Sequence, residues 1–342
     1  LTSFKDRFVK KLFTLAQKHL YIESKFSLGY GVGKLKRLCK KYQAQLYIMH
    51  QELAIVIGSE MLACNYKVFF DFEDWYSEDL LAEARRSRPL GLLKSAEKRA
   101  LQLSTLCITT SSAMALALAE RYKTDRIPQV IYNSFNASRN VIKPAGGHNV
   151  IRLYWFSQTI GEGRGLEFFI TAMGKSRARW ELYLRGNTTD KYQAGLRRLL
   201  SQKDKLIILP MQTNNEILGG LQEYHIGLAL EPAIPANKDL TISNKFFHYM
   251  AAGLPIIASA TKGHAEIGIH HPDFIFMFRQ NNESDLVAIL ERIAAEFDEM
   301  KFHQLKEKVL EIFCGRYAWK VEEKKLVNLI FRSLENSCHA TN

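Results

Sequence analysis

Two runs of short, β-rich apolar segments, each segment followed by an amphipathic stretch, constrain this chain more than any other feature. The first run reads QLYIM (45–49), KVFFDF (67–72), LCITT (106–110) and QVIY (129–132). The second reads VIRLYWFS (150–157), WELYLRG (180–186), KLIILP (205–210), HIGLALE (225–231), LPIIAS (254–259) and FIFMF (274–278). Strands alternating with helical patterns at this spacing predict βαβ units and parallel sheets with helices on both faces. Residues 133–149 hold turn formers, a Pro and a Gly pair without an apolar period, and read as a linker. The expectation is an α/β chain of two Rossmann-like domains facing a cleft, with ligands at the carboxyl ends of the strands. The predicted boundaries are 1–145, 146–316 and a C-terminal helix over 317–342. At 342 residues the chain can bury two such cores.

The first domain reads as short. Residues 1–20 have a helical pattern where a strand and a Gly-containing turn are expected, so the first strand or strands are predicted to be missing. LGYGVGK (28–34) follows no convincing strand and reads as a Gly-rich turn rather than a phosphate loop. The chain opens on Leu1 rather than Met, the pattern of a fragment or a trimmed chain. Its first 15 residues place Phe4, Phe8, Leu12 and Leu15 at helical spacing among lysines, without the continuous apolar core of a signal peptide.

The chain carries 47 Lys and Arg against 35 Asp and Glu, but the surplus is concentrated at the front. Residues 1–50 hold eleven Lys/Arg against two acids, nine of the twelve net positive charges. A basic front on a nearly balanced body argues against a nucleic-acid binder, since no aromatic–basic interleaving or known motif accompanies it. It fits a polyanionic surface, and an anionic membrane face is the expected peripheral contact. Five scattered cysteines without C-x-x-C or Cys/His clustering support neither a disulfide framework nor a zinc site. They suit a reducing compartment, so a cytoplasmic location is expected.

Chemistry is expected after the strands of the second domain. GEGRGLE (161–167) is a Gly-punctuated turn running into a helix; Gly161, Gly163 and Gly165 permit close backbone approach, and Arg164 sits where a helix N-terminus would meet a phosphate. Gly186, Met211 and Glu231 mark the ends of the next three strands. In DLTISNKFFHYMAAGLPIIAS (239–259), Ser243 and Asn244 read as a helix cap with Lys245 in the first turn. A Lys is unfavourable there unless an anion is present, so phosphate is the expected partner. HAE (264–266) and His270–His271 read as loop residues, and the acidic cluster Asp71, Glu73, Asp74, Glu78 and Asp79 as a solvated edge.

GEGRGLE after a strand, SNKFFHYMAAGLPIIAS and the closing RYAWKVEEKKLVNLIFRSL together resemble the retaining glycosyltransferases of family 4, glycosyl transferases group 1, which have the GT-B fold. The first-domain segments are similar to that family's acceptor domain in order and spacing. The resemblance spans about residues 45–335. It implies a nucleotide-diphosphate sugar donor bound by the second domain, a glycan or glycolipid acceptor at the first, retention of configuration and no metal. It also implies a C-terminal helix that crosses back to the first domain, packing Trp319, Leu326, Leu329 and Ile330. Arg164, Lys245 and the backbone of Ser243 and Asn244 would stabilise the departing diphosphate. Gly163, Gly165, Gly186 and Met211 would border the donor, and His50 matches a cleft histidine near the transferred sugar.

The sequence departs from the family in places. The usual pair of glutamates, separated by seven residues, is absent: the second position is His248 and, eight residues earlier, the first is Leu240. Glu231 is the candidate substitute for the first. Gln158 stands near where a second basic residue is common, and DFED (71–74) where D-x-H-E is common. These changes make a non-catalytic nucleotide-sugar or partner-binding chain the rival reading.

Overall fold

The computed structural model describes residues 4–137 and 150–339. Most of the predicted linker, and the boundary placed at 145/146, lie outside the described residues. The chain divides into two compact units: residues 1–131, 234–237 and 325–342 form one, and 132–233 with 238–324 the other.

The first unit is built on four parallel strands, β1 (Tyr47–His50), β2 (Val68–Phe72), β3 (Cys107–Thr109) and β4 (Gln129–Val130), in that spatial order. Its four strands are the four apolar runs of the sequence. Helix Glu52–Leu62 buries Ile55, Val56, Ile57 and Met61 against them. Gly58 lets it approach closely, because a Cβ there would stand 2.7 Å from Met49 Cγ. Among the described residues no strand precedes β1; helices Phe4–Leu20 and Val32–Tyr42 occupy that stretch. Gly31, with φ +69°, starts the second of them after a 3-10 turn, not after a strand.

The acidic cluster of the first unit is not one solvated edge. Glu78 is buried and paired with Arg85, Arg121 and Lys94. Asp74 and Asp79 both accept from the Asn237 side-chain amide, at 2.7 and 3.1 Å. Only Asp71 and Glu73 remain together beside His50. The fully buried Glu97 accepts from Trp75 Nε1, the Ser77 amide and hydroxyl, and Tyr122.

The second unit holds six parallel strands: β5 (Ile151–Thr159), β6 (Trp180–Asn187), β7 (Lys205–Leu209), β8 (Ile226–Ala229), β9 (Ile256–Ser259) and β10 (Ile275–Phe278). Their order is β7-β6-β5-β8-β9-β10, a doubly wound sheet whose winding direction reverses between β5 and β8. Successive β5 side chains point to opposite faces. Leu153 and Trp155 join the core containing Trp180, Phe169 and Leu286, whereas Tyr154 and Phe156 join that of Phe247, Tyr249 and Phe313. Burial on both faces is why this strand reads as a continuous apolar run rather than an alternating one. Two parallel-sheet units of this kind are the GT-B architecture.

One contact sets the position of the helix that matters most. Gly227 in β8 lies directly beneath the Tyr249 ring; a Cβ there would stand 2.2 Å from Tyr249 Cγ. The Tyr249 hydroxyl lies 3.2 Å from the carbonyls of Tyr154 and Leu228. Helix Asn244–Ala251 is thereby fixed over β5 and β8. The last helix, Trp319–His339, has its residues up to Lys324 in the second unit and the following ones in the first. Its Glu322 is fully buried and accepts the Tyr132 amide at 3.0 Å.

Candidate active site

A pocket of about 610 Å³ opens in the second unit at the carboxyl ends of β5, β6 and β7. This is the place the switch in strand order predicts. β5 brings Ser157 and Gln158, β6 brings Arg185, and the segment after β7 brings Met211 through Asn214. Helix Asn244–Ala251 adds Asn244, Lys245 and His248. Two cations line the pocket and no carboxylate does, so it is electrostatically an anion site.

The helix N-terminus is not capped as the sequence suggested. Ser243 occupies the cap position, but its side chain accepts nothing from the first turn. Its hydroxyl instead donates to Glu231 Oε1 at 3.1 Å. First-turn amides without a side-chain acceptor are available to an anion.

Lys245 already has an anion, supplied by the chain itself. Its Nζ lies 2.8 Å from Glu231 Oε1 and 5.6 Å from the centroid of the Trp155 ring. Lys238 holds the other carboxylate oxygen at 3.1 Å. Burial pushes the Glu231 carboxyl upward, but the charges of Lys245 and Lys238 outweigh it and bring it down to about 2. Glu231 is 9% exposed and lies outside the pocket lining, behind Lys245. Its backbone is clamped too: Ser259 Oγ lies 2.8 Å from its amide and 2.7 Å from its carbonyl.

His264 completes this layer, and the sequence reading of HAE as loop does not hold. His264 is fully buried in helix Lys262–Gly268 and stacks on Phe246. Its Nδ1 donates to the Ser259 carbonyl at 2.9 Å while its Nε2 accepts the Ser243 amide at 3.4 Å. These two bonds require a neutral ring, and burial lowers its pKa accordingly.

The other predicted residues are distributed unevenly. Met211, Asn244, Lys245 and His248 meet in the pocket. His248 is 3% exposed, donates from Nδ1 to the Asn244 carbonyl at 2.8 Å, and touches the Phe135 and Phe156 rings; burial lowers its pKa. Gly163 and Gly165 adopt φ of +72° and +74°, the second starting helix Leu166–Lys175. Arg164 between them is half-buried, has no ion pair or hydrogen bond among the described residues, and lies outside the pocket lining. Gly186 is buried at φ +150°, where a Cβ would come within 2.2 Å of the Ser157 carbonyl oxygen; it allows β6 to close against the end of β5.

Arg185 was not singled out from the sequence. It stacks on Tyr154 and donates to the Tyr154 hydroxyl and the Pro210 carbonyl, both at 2.7 Å. The available signal was a charged residue near the end of a largely apolar strand, next to a glycine.

His50 belongs to the first unit. β1–β2 register sets it beside Asp71, and its Nδ1 is 3.8 Å from Asp71 and 3.5 Å from Glu73. Burial, then the Glu73 charge, pushes Asp71 up to about 6, against the opposing effect of His50. One ligand atom from each of the three lies within 4.8 Å of the others, a grouping that could hold a metal ion.

Known proteins align with this description. Residues 152–296 match the family described as Glycosyl transferases group 1. The Anabaena protein Alr3699/HepE, solved with UDP, superposes with a TM-score of 0.67 at 14% identity, covering 88% of this chain and 82% of that one. The lipopolysaccharide outer core galactosyltransferase WaaB gives 0.58 at 15% identity, covering 88% and 79%. An E. coli protein bound with UDP-2-fluoro glucose gives 0.60 at 12% identity, covering 87% and 76%. A search of curated protein sequences finds no match.

Proposed function

We propose that this chain is a glycosyltransferase that moves a sugar from a nucleotide-diphosphate sugar to a glycan or glycolipid acceptor, with retention of configuration, in cell-envelope polysaccharide synthesis. The observation that carries it is the acid-free pocket at the β5–β8 switch point, lined by Lys245 and Arg185 at an uncapped helix N-terminus. The dominant electrostatic cost of such a transfer is charge developing on the departing diphosphate. Lys245, Arg164 and the amides of Asn244 and Lys245 would take that charge without a metal. Similarity to structures holding UDP or a UDP-sugar, and to an outer core galactosyltransferase, supports a UDP-sugar donor and an envelope acceptor. Retention follows from the family resemblance. His50, backed by Asp71 and Glu73, is the first unit's candidate for the sugar-transfer step.

A second reading, a non-catalytic nucleotide-sugar binder, draws on His248 in place of the usual glutamate and on the pairing of Lys245 with Glu231. One experiment separates the two. Purified protein is incubated with UDP-, GDP- and dTDP-sugars, and donor consumption is followed by mass spectrometry beside thermal shift. Donor cleavage or transfer, lost in Lys245→Ala, supports the enzyme. A thermal shift without any turnover supports the binder, and neither signal removes the nucleotide-sugar reading altogether.

A further inference from the structure

The first helix presents apolar residues on the face that the fold does not use. Its inner side is occupied by Phe13, stacked on Phe26 at 5.3 Å, and by buried Gln17. Phe4, Phe8, Leu12 and Leu15 instead point outward, 87, 60, 51 and 46% exposed. At helical spacing these four fall within roughly 80° of arc, a single stripe along the helix. An amphipathic helix of a globular protein normally turns such a stripe to the core. This one is turned away from it.

The stripe is bordered by charge of one sign. Lys5, Arg7, Lys11 and Lys18 are exposed beside it and make no ion pair among the described residues. Other cations of the same region are engaged: Lys10 lies over the Tyr30 ring, and Lys34 pairs with Asp6. The second helix repeats the pattern, with Leu38 and Tyr42 exposed among Arg37, Lys40 and Lys41. Fold-stabilising partners are therefore given to one set of cations, while another is left around exposed apolar side chains.

We propose that the outer face of helix Phe4–Leu20 docks on an anionic membrane surface. Phe4, Phe8, Leu12 and Leu15 would enter the boundary between headgroups and acyl chains, with Lys5, Arg7, Lys11 and Lys18 on the phosphates. An apolar stripe rimmed by Lys and Arg is the combination that lies in the interfacial plane. No described helix is long and apolar enough to cross a membrane, so the contact is peripheral through this element. A second copy of the chain is the poorer occupant. A two-fold contact sets the same face against itself and would bring the two cationic rims together. The proposal stands apart from the donor pocket, which lies in the other unit.

The test is co-sedimentation of the full chain with phosphatidylcholine vesicles, with and without phosphatidylglycerol, alongside Phe8→Glu/Leu12→Glu and Lys11→Gln/Lys18→Gln. Nucleotide thermal shift in the same samples reports whether the variants remain folded. The expected result is binding to anionic vesicles only, weakened by added salt and reduced tenfold or more by the apolar double substitution. The charge double substitution gives a smaller loss, and the thermal shift is unchanged in both. Absence of binding to anionic vesicles, or binding that the stripe substitution leaves intact, overturns the proposal. So does a dimer in sedimentation velocity that the same substitution dissociates while vesicle binding is absent.

Discussion

The basic front segment and the pocket of the second unit use positive charge in opposite ways. Around helix Phe4–Leu20 the cations are exposed, several are unpaired, and they border a solvent-facing apolar stripe. In the pocket, Lys245 is only 12% exposed, lies over Trp155 and is held by a carboxylate that is itself held by Lys238 and Ser243, on a backbone clamped by Ser259. The first arrangement makes a surface that attracts charge over a wide area. The second makes a directional site whose geometry is set before a ligand arrives. Net charge identifies the first and is silent about the second.

The comparison breaks most directly at Lys245. Lys245→Ala should lower sugar transfer, or nucleotide affinity, by about a hundredfold to a thousandfold, the ~3–4 kcal/mol scale of losing one preorganised donor. It should also lower thermal stability, because Glu231 keeps only Lys238 as a cationic partner. Arg164→Ala should weaken transfer at least tenfold with melting temperature unchanged, since Arg164 holds nothing else in place. Equal activity of both variants and wild type in a donor-turnover assay would place the diphosphate elsewhere.

Preorganisation of the pocket rests on the backbone beneath it. Gly227→Ala drives a Cβ into the Tyr249 ring and should cost about 1–3 kcal/mol or more in chemical denaturation. Its nucleotide binding should fall as well, because Tyr249 and Lys245 share one helix.

Acid titration gives opposite signs in the two units. The Glu231 carboxyl lies at about 2 in the folded chain against an ordinary 4.5. Its stabilising contribution is therefore complete above about pH 4.5 and lost as pH falls toward 2. The deficit of Glu231→Gln in melting temperature should shrink over that window. Asp71 is pushed up to about 6 from 3.8, so ionising it disfavours the folded state as pH rises through 6. Asp71→Asn should raise the melting temperature by about 2–4 °C above that pH and bring no gain below 3.8.

The smallest effect is expected at the stripe. Phe8→Glu and Leu12→Glu should each change unfolding free energy by no more than about 0.5 kcal/mol, as exposed positions do. A large loss of stability in the absence of membrane would show that the stripe is part of the fold.

Much of the architecture was legible. The ten strands of the described residues coincide with the apolar runs; central ones such as β5 and β8 are buried on both faces and so read as short continuous apolar blocks, whereas the edge strands β1, β4 and β7 are only partly buried. SNKFFHYMAAG was legible as a helix stopping at Gly253, whose φ of +76° only a glycine adopts at little cost. Less of the site was. Ser243 looked like a cap because cap preference is local, whereas its real partner, Glu231, comes from the end of the preceding strand. His264 looked like a loop residue because nothing nearby in the sequence announces its bonds to Ser243 and Ser259. Arg185 was hidden near the end of a strand whose buried positions are apolar.

The sequence by itself determined the two sheets, their helices and the edge where polar residues gather, since these follow from local periodicity and the rules of parallel-strand connection. Only the tertiary structure decided which cations are free. Lys245, Lys238 and Glu231 are brought together across β8 and two helices, and the apolar stripe of the first helix faces out because Phe13 and Gln17 occupy its inner side. Pairing and burial depend on distances between segments remote in the chain, and amphipathic spacing states that a helix has two faces without stating which one the core receives.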